Sequence, residues 1–453
     1  MTDDLRRRAP VSPPVALAVA GSDSGGGAGI QADLKTMEAH GVFGTSVVTA
    51  VTAQNTRGVE GTHVLPVEEV RAQYRAVADD FDLGAVKTGM LATREVIEAV
   101  TDLLGGYGGP VVVDPVMVAA SGDRLLTEAA ESAYDDLIGE ATLVTPNADE
   151  AEVLTGRTLS TTADAEAAGA DLVDAGAGAA LVKGGHLGGG TVTDVLVTAE
   201  GVERFEHPRV DTDATHGSGC ALSSAVAARL ASGESLRDAV EAGTAFMERA
   251  VRYGLDVGEG LGAVHHHVAL REEAARPAAL EAVEGLVAAF LGRDVSPLVP
   301  DVGTNVVGAT PYAEGVGEVA AVEGRIAQTV DGAAATRGVR MGASSHVARF
   351  LLAARERDPA LRFATNVRFD EDVEAALAAA DLGGPAVAFD RADEPTDAAG
   401  TMDWSAGVAF DAAGGTPAAV YDRGDVGKEP MVRLLAPDAE TLRRRAFALL
   451  DAL

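Results

Sequence analysis

Apolar runs that stop at a glycine or polar turn, each leading toward a helix-forming segment, recur through the first half of the chain and restrict its fold more than any other feature. Val15–Gly21 runs into SDSGGGAGIQADLKTMEAHG. That reads as a strand, a glycine loop, and a helix from about Ile30 to His40 stopped by Gly41. Thr45–Asn55 is β-branched and reads as one strand with Gln54 at its carboxyl end. Ala85–Leu91 (AVKTGML) ends another, with Lys87 and Met90 expected on the same face. Val111–Met117 (VVVDPVM) is apolar up to Asp114, and Leu143–Leu154 (LVTPNADEAEVL) passes through a turn into a helix carrying Glu150. Ala180–Gly190 (ALVKGGHLGGG) places Lys183 before a glycine turn. Strands apolar on both faces belong to a buried, parallel sheet in an α/β fold. Such sheets bind ligands at their carboxyl edge. The units place Gly21, Gln54, Met90, Asp114, Asn147, Lys183 and the 217–220 loop along that edge.

Asp211–Leu230, DTDATHGSGCALSSAVAARL, joins a glycine turn to a small-residue helix starting near Cys220. Unpaired first-turn N–H groups and the helix dipole make Gly217, Ser218 and Gly219 a site for anions. Cys220, the only cysteine, sits where those groups converge. Its pKa is expected to fall there, and it can be a base, a nucleophile or a small polar wall. The Gln54 amide can donate and accept along the edge of an aminopyrimidine or pyridine, or cap the turn at Asn55–Gly58. Met90 can lie on a heteroaromatic ring or fill core. A carboxylate at the tip of an apolar strand, such as Asp114, needs solvation or a cation, usually Mg²⁺. Asn147 and Glu150 can hold the water shell of a metal–nucleotide, and capping is the other role open to Asn147. The Lys183 ammonium can neutralise transferring phosphates. The glycine loop has Gly27 where a P-loop needs Lys. It also lacks the acidic residue of a dinucleotide site, so it reads as a loop open to a small ligand, with Asp33 on the next helix. His265–His267 cannot all share one face of a helix or strand and read as structural.

The chain of 453 residues accommodates two domains. A net charge of −33 argues against binding nucleic acid or anionic lipid. No apolar run approaches the length of a membrane span. Met1–Pro14 has the arginines of a twin-arginine export signal, but Val15–Ala20 is too short for its apolar region, so the segment reads as a disordered tail. A single cysteine agrees with a reducing cytoplasm. Of 36 basic residues 32 are Arg, a Lys-poor, acid-rich bias that fits a salt-rich cytoplasm. The four lysines, Lys35, Lys87, Lys183 and Lys428, each fall in a glycine-bearing motif and are candidates for chemistry.

AGSDSGGGAGIQADLKT, TAQNT, VKTGML, DPVM, TPNADEAEVL, VKGGH and THGSGC resemble, in order, the hydroxymethylpyrimidine/phosphomethylpyrimidine kinases of thiamine biosynthesis, over Val15–Val268. The resemblance implies a ribokinase-like fold using ATP and Mg²⁺. By it Gly21, Asp33, Gln54 and Met90 line the pyrimidine pocket, and Asp114 and Glu150 handle Mg²⁺. Asn147, Lys183 and Ser218 serve the ATP phosphates, and Gly217–Cys220 form the anion hole. Sugar kinases of this fold carry Asp where Cys220 stands, and pyridoxal kinases share parts of the pattern.

Residues 269–277, with the charged stretch Arg271–Pro277, read as a linker. Residues 278–453 read as a second α/β domain. It opens with an amphipathic helix Ala279–Leu291, and strands are expected at Val302–Val307, Phe363–Phe369, Ala386–Phe389 and Ala418–Tyr421. Its polar clusters hold Arg325; Arg340, Ser344 or Ser345 as a cap, and His346; and Arg423 with Lys428. DVGTNVV, RIA, MGASSHVARF and YDRGDVGKEPM resemble the ThiN-type thiamine-phosphate synthase domain, which follows this kinase in archaeal chains. The resemblance implies that Arg325 and His346 act in catalysis, and Arg340, Ser344 and Lys428 are expected to bind phosphate. ThiN-like domains also serve as non-catalytic sensors. The expected activity is phosphorylation of hydroxymethylpyrimidine to its diphosphate, then condensation with thiazole phosphate. The alternatives are a kinase with a sensing domain and a pyridoxal kinase with an accessory domain. The partners expected are these small molecules, with no nucleic acid or membrane, and the assembly expected is a homodimer.

Overall fold

Val111, Val112 and Val113 are all buried although successive side chains of a strand point to opposite faces. Val111 and Val113 pack with the helices Arg94–Leu104 and Tyr134–Gly139, Val112 with Ser218–Ala231 and Leu236–Arg252. Helices therefore cover both faces, as the unbroken apolar run requires. This is a computed structural model that describes residues 9–118, 125–126, 128–394, 401–425 and 429–453. The strands of the first half are β1 (Val15–Ala20), β2 (Phe43–Val48), β3 (Ala50–Asn55), β4 (Gly58–Val64), β5 (Leu83–Thr88), β6 (Val111–Val113), β7 (Leu143–Val144), β8 (Ala179–Val182), β9 (Thr191–Thr198) and β10 (Gly201–Pro208). Eight form one sheet in the order β10-β9-β8-β7-β6-β5-β1-β2. It is parallel from β8 to β2, with β9 and β10 antiparallel at one edge.

Thr45–Asn55 is not one strand. The chain breaks at Thr49, whose N–H donates to the Ala20 carbonyl at 3.0 Å and whose Oγ1 donates to the Met90 carbonyl at 2.7 Å. Those two bonds turn β3 out of the sheet, and it pairs with β4 as a separate hairpin.

The second half holds β11 (Val306–Ala309), β12 (Val319–Val322), β13 (Ile326–Thr329), β14 (Gly332–Ala335), β15 (Val339–Met341), β16 (Phe363–Arg368), β17 (Ala386–Ala388), β18 (Ala419–Asp422) and β19 (Met431–Ala436). Seven of them form a sheet ordered β15-β12-β11-β16-β19-β18-β17, antiparallel except for the β17–β18 pair. Its alternate residues pack on Val268–Gly292 and Ala439–Asp451 on one face, and on His346–Arg357 and Thr401–Ala413 on the other.

One expectation fails here, and the expected linker turns out to be helical. Residues 302–305 form a loop rather than strand, because the Asn305 side chain takes the ladder's place. Its Nδ2 donates to the Val322 carbonyl at 2.9 Å, and its Oδ1 accepts the Val322 N–H at 3.1 Å. Arg271–Pro277 is no break but part of the helix Val268–Gly292. An interior proline costs a helix about 3 kcal/mol. Beyond Pro277, Ala279, Val283, Leu286 and Phe290 form a buried helical stripe. The chain divides into two compact units, Met1–Val268 and Ala269–Leu453. Residues 1–8 of the expected tail lie outside the described residues.

Candidate active sites

In the first unit the glycine loop is built around Asp23, which the sequence pattern alone does not single out. Its carboxylate accepts the N–H groups of Gly25 at 2.8 Å, Gly27 at 3.0 Å and Ala28 at 2.7 Å, and His216 Nε2 lies 3.0 Å away. Burial works to raise its pKa, but the bonds from His216 and the Ala28 and Gly25 N–H groups outweigh it and hold the carboxyl below its ordinary range. Asp23 thus ties the loop after β1 to the loop before the Ser218–Ala231 helix. The two loops touch so closely that a Cβ on Gly217, at φ +80°, would overlap the Gly27 carbonyl oxygen. The aspartate inside GSDSGGG was the available signal, since a short acid among glycines commonly organises their N–H groups.

A cavity of about 680 Å³ opens at the carboxyl edge of the sheet. Gly21, Gln54, Met90, Asp114, Asn147, Glu150, Lys183 and Gly217–Cys220 all line it. Lys183 Nζ lies 3.1 Å from Asp114 Oδ1 and 3.9 Å from Glu150 Oε2. Burial opposes the charge on Lys183, but both carboxylates outweigh it and raise its pKa. Burial pushes Glu150 upward against the pull of Lys183, with Asp114 adding to the push. Glu150 also completes a capping box: its Oε2 accepts the Asn147 N–H at 2.8 Å, and Asn147 Oδ1 accepts the Glu150 N–H at 2.9 Å. The helix start thus holds both residues against Lys183. A Cβ on Gly219 would lie 3.1 Å from the Lys183 ammonium, so the helix N-terminus approaches that cation closely.

The Ser218 N–H is already used by the Thr215 carbonyl at 3.1 Å. Gly219 and Cys220 occupy the first turn, where N–H groups have no intrahelical acceptor. The expected fall in the Cys220 pKa is reversed. Burial pushes the thiol up to about 11, against the opposing pull of Lys87 and a contact with the Gly29 N–H.

Asp33 does not reach the cavity. It is fully buried behind it, 2.8 Å from Lys87 Nζ, and accepts Ser224 Oγ at 2.7 Å. Lys87 is equally buried. Burial opposes its charge, but Asp33, then Cys220 and Asp114, hold its pKa above the usual lysine range. Lys35 donates to the Gly26 carbonyl at 2.6 Å and closes the glycine loop. Of the three described lysines only Lys183 lines the cavity. His265 and His266 are buried, and no group of three His, Cys, Asp or Glu that could hold a metal occurs among the described residues.

In the second unit a cavity of about 520 Å³ is lined by Arg325, Ser344, Ser345 and His346, together with Asn305, Asn366, Arg391, Glu429 and Arg433. Arg325 has a left-handed backbone, φ +82°. Its carbonyl is held by Thr336 Oγ1 at 2.8 Å, and its Nη1 donates to the Val302 carbonyl at 2.6 Å. A non-glycine residue held in this region is strained by about 1–3 kcal/mol. His346 begins the helix His346–Arg357 beside Ser345, whose Oγ is 3.2 Å from Nδ1. Ser345 makes no side-chain cap. Arg340 turns away to Glu323, 3.1 Å from its Oε1, and is absent from the cavity wall. Arg423 pairs with Glu374, and Lys428 lies outside the described residues. Arg433 was legible as an oddity, an arginine within the apolar strand Met431–Ala436. Nothing in the sequence around Arg391 set it apart.

The sequence matches the profile described as phosphomethylpyrimidine kinase over residues 23–265 and that described as thiamine-phosphate synthase ThiN over residues 282–447. A hydroxymethylpyrimidine/phosphomethylpyrimidine kinase of Streptomyces coelicolor is 52% identical over 264 residues, 58% of this chain and 98% of the relative. The thiamine biosynthesis bifunctional protein ThiED of Geobacter sulfurreducens is 46% identical over 270 residues, 59% of this chain and 55% of its own. Among solved structures, the ADP complex of Bacillus subtilis pyridoxal kinase is 34% identical with a TM-score of 0.54, covering 57% of this chain and 99% of its own.

Proposed function

The chain belongs to the phosphomethylpyrimidine kinase family, and from that premise we propose that its first unit phosphorylates hydroxymethylpyrimidine and then the monophosphate, using ATP and Mg²⁺. The observation that carries this reading is the Lys183–Asp114–Glu150 group facing the first turn of the Ser218–Ala231 helix, in one cavity with Gln54 and Met90. Phosphoryl transfer requires mostly positioning and charge stabilisation, which is what these residues can supply. The Gln54 amide and Met90 would hold the pyrimidine ring beside Gly21. Asn147 and Lys183 would hold the phosphate chain, and the Gly219 and Cys220 N–H groups the oxygens of the transferring group. Cys220, kept protonated by burial, would be a wall of this hole rather than a base.

Asp114 and Glu150 would hold Mg²⁺. Two carboxylates without a third acidic or histidine ligand among the described residues suit an ion that completes its shell with phosphate oxygens and water. When bound, that ion neutralises phosphate charge.

The second unit, in this reading, joins the pyrimidine diphosphate to thiazole phosphate, releasing diphosphate and thiamine phosphate. Arg325 and His346 share one cavity there and would meet charge growing on the departing diphosphate. The test is to supply the purified chain with hydroxymethylpyrimidine, thiazole phosphate and Mg-ATP and to separate the products. Thiamine phosphate is the expected outcome. Pyrimidine diphosphate without thiamine phosphate leaves the second unit a sensor, and no phosphorylated pyrimidine removes the kinase reading. The likeness to a solved pyridoxal kinase motivates a second reading, so pyridoxal turnover is measured alongside and is expected to be the slower.

We also propose a cytoplasmic homodimer from a salt-adapted, archaeal-type host. The salt-adapted host rests on the −33 charge and the Arg-over-Lys bias, and among the described residues no helix is long and apolar enough to cross a membrane. Self-repulsion of that size is screened as the Debye length falls to about 3 Å at 1 M salt. Melting temperature should therefore rise from millimolar to molar KCl, and a flat curve would remove the salt reading. Light scattering reads the assembly state, and a monomer mass would remove the dimer.

A further inference from the structure

Arg391, Asp422 and Arg433 form a buried ionic group that none of the roles above uses. Asp422, fully buried at the end of β18, accepts Arg391 Nε at 2.7 Å and Nη2 at 3.0 Å, Arg433 Nη1 at 3.2 Å, and the Gly424 N–H at 3.0 Å. The Phe389 ring lies 5.9 Å from the Arg391 guanidinium and 6.0 Å from that of Arg433, and Phe350 is 5.1 Å from Arg433. Guanidiniums already fixed between a carboxylate and aromatic rings have little freedom left to lose when a ligand binds.

Both arginines line the 520 Å³ cavity, with side chains only 8% and 7% exposed. Among the described residues Arg433 donates to protein only through Nη1, and Arg391 only through Nε and Nη2. Their remaining donors are not among the buried unpartnered atoms and open onto the cavity, where a bound acceptor can complete them. The charge balance has the same sign. Arg325, Arg391 and Arg433 line the cavity against Glu429, and Asp422 behind cancels one more charge. That leaves +1 from these side chains, inside a chain of −33.

We propose that Arg391 and Arg433 form the phosphate-binding subsite of the second unit, taking a diphosphate or phosphate-ester group, with Asp422 as the residue that positions both. The proposal rests on the synthase reading, in which a diphosphate must be held and released. It also replaces Arg340, which the structure turns away from the cavity.

Trp404, the only tryptophan in the chain, packs edge-on against Phe389 at 5.8 Å and therefore reports on this subsite. The experiment titrates the full chain with inorganic diphosphate, and separately with inorganic phosphate, at constant ionic strength while Trp404 emission is read. Wild type should give a saturable response, tighter for diphosphate, and Arg391→Met and Arg433→Met should each weaken it by about tenfold or more. Should a Met variant lose the wild-type emission spectrum, Arg391→Lys and Arg433→Lys carry the test. Each keeps the charge beside Asp422 but not the planar fork, and should bind several-fold more weakly. Wild-type titrations in the variants, or no saturable response of wild type at millimolar diphosphate, overturn the proposal. If no thiamine phosphate forms yet the titrations behave as stated, the synthase reading falls and the subsite stands. If product forms and the variants bind diphosphate like wild type, the subsite falls and the synthase reading stands.

Discussion

Lys87→Met removes the partner of a fully buried carboxylate while nearly preserving the shape of the side chain. Asp33 is left with Ser224 Oγ at 2.7 Å as its hydrogen-bond donor, and Asp114 is the other charge near it. Breaking a buried pair from one side costs about 3–5 kcal/mol. Burial already pushes the Asp33 carboxyl upward, so the variant can escape by taking a proton on folding. That escape caps the penalty at the cost of protonating an ordinary carboxyl, about 4 kcal/mol at pH 7 and about 1.5 kcal/mol at pH 5. The sign follows from linkage: folded Asp33 in the variant holds a proton that the unfolded chain lacks, so the stability defect shrinks as pH falls. For a unit of this size the pH 7 defect corresponds to a fall of about 8–16 °C in melting temperature. Calorimetry at pH 5, 6 and 7 reads the shift, while Trp404 emission follows the second unit, which should not move. The double variant Lys87→Met/Asp33→Leu should recover most of the loss and keep the wild-type Michaelis constant for the pyrimidine. A Lys87→Met protein as stable as wild type at pH 7, or a defect independent of pH, would refute the buried-pair argument. A tenfold rise in that Michaelis constant in the double variant would put Asp33 back in the pocket.

Because burial raises the Cys220 thiol to about 11, its thiolate is scarce at pH 8, and alkylation by iodoacetamide should run about two orders of magnitude slower than for an ordinary thiol. Cys220→Ala should lower kinase turnover by about tenfold or less without moving the pH–rate profile, and a lost titrating limb would restore the thiol as a base. Gln54→Leu should raise the Michaelis constant for the pyrimidine about tenfold while leaving that for ATP unchanged, and an unaltered pyrimidine constant would place the ring elsewhere. Arg325→Ala and His346→Ala should cut formation of thiamine phosphate from pyrimidine diphosphate and thiazole phosphate, assayed without ATP. Ground-state binding of thiazole phosphate should change less, and equal product rates in all three proteins would remove both residues from catalysis.

Local order carried the edge of the first sheet. VALAVAG, VVVDP, LVTPN and ALVKGG each state a buried strand and its stop in contiguous residues. The side chains just past those stops, Asp114, Asn147 and Lys183, were therefore legible without a tertiary structure, because a parallel strand delivers its carboxyl end to one edge. What a side chain does after leaving the backbone depends on groups far away in sequence, and there the chain alone was silent or misleading. Asp33 is drawn from the pocket by Lys87, 54 positions on, and the Cys220 thiol is raised by walls contributed from several elements. Asp23 gains its meaning from His216, 193 positions away, and Arg433 from Asp422 and Arg391 on neighbouring elements. Pro277 and Asn305 show the same division in the backbone. Local rules placed a linker at the first and ran a strand through the second, whereas the folded chain is helical through Pro277 and the Asn305–Val322 bonds replace the strand ladder. Strand and turn signals depend on neighbours along the chain, whereas burial, ion pairing and pKa depend on neighbours in space, and only folding supplies those.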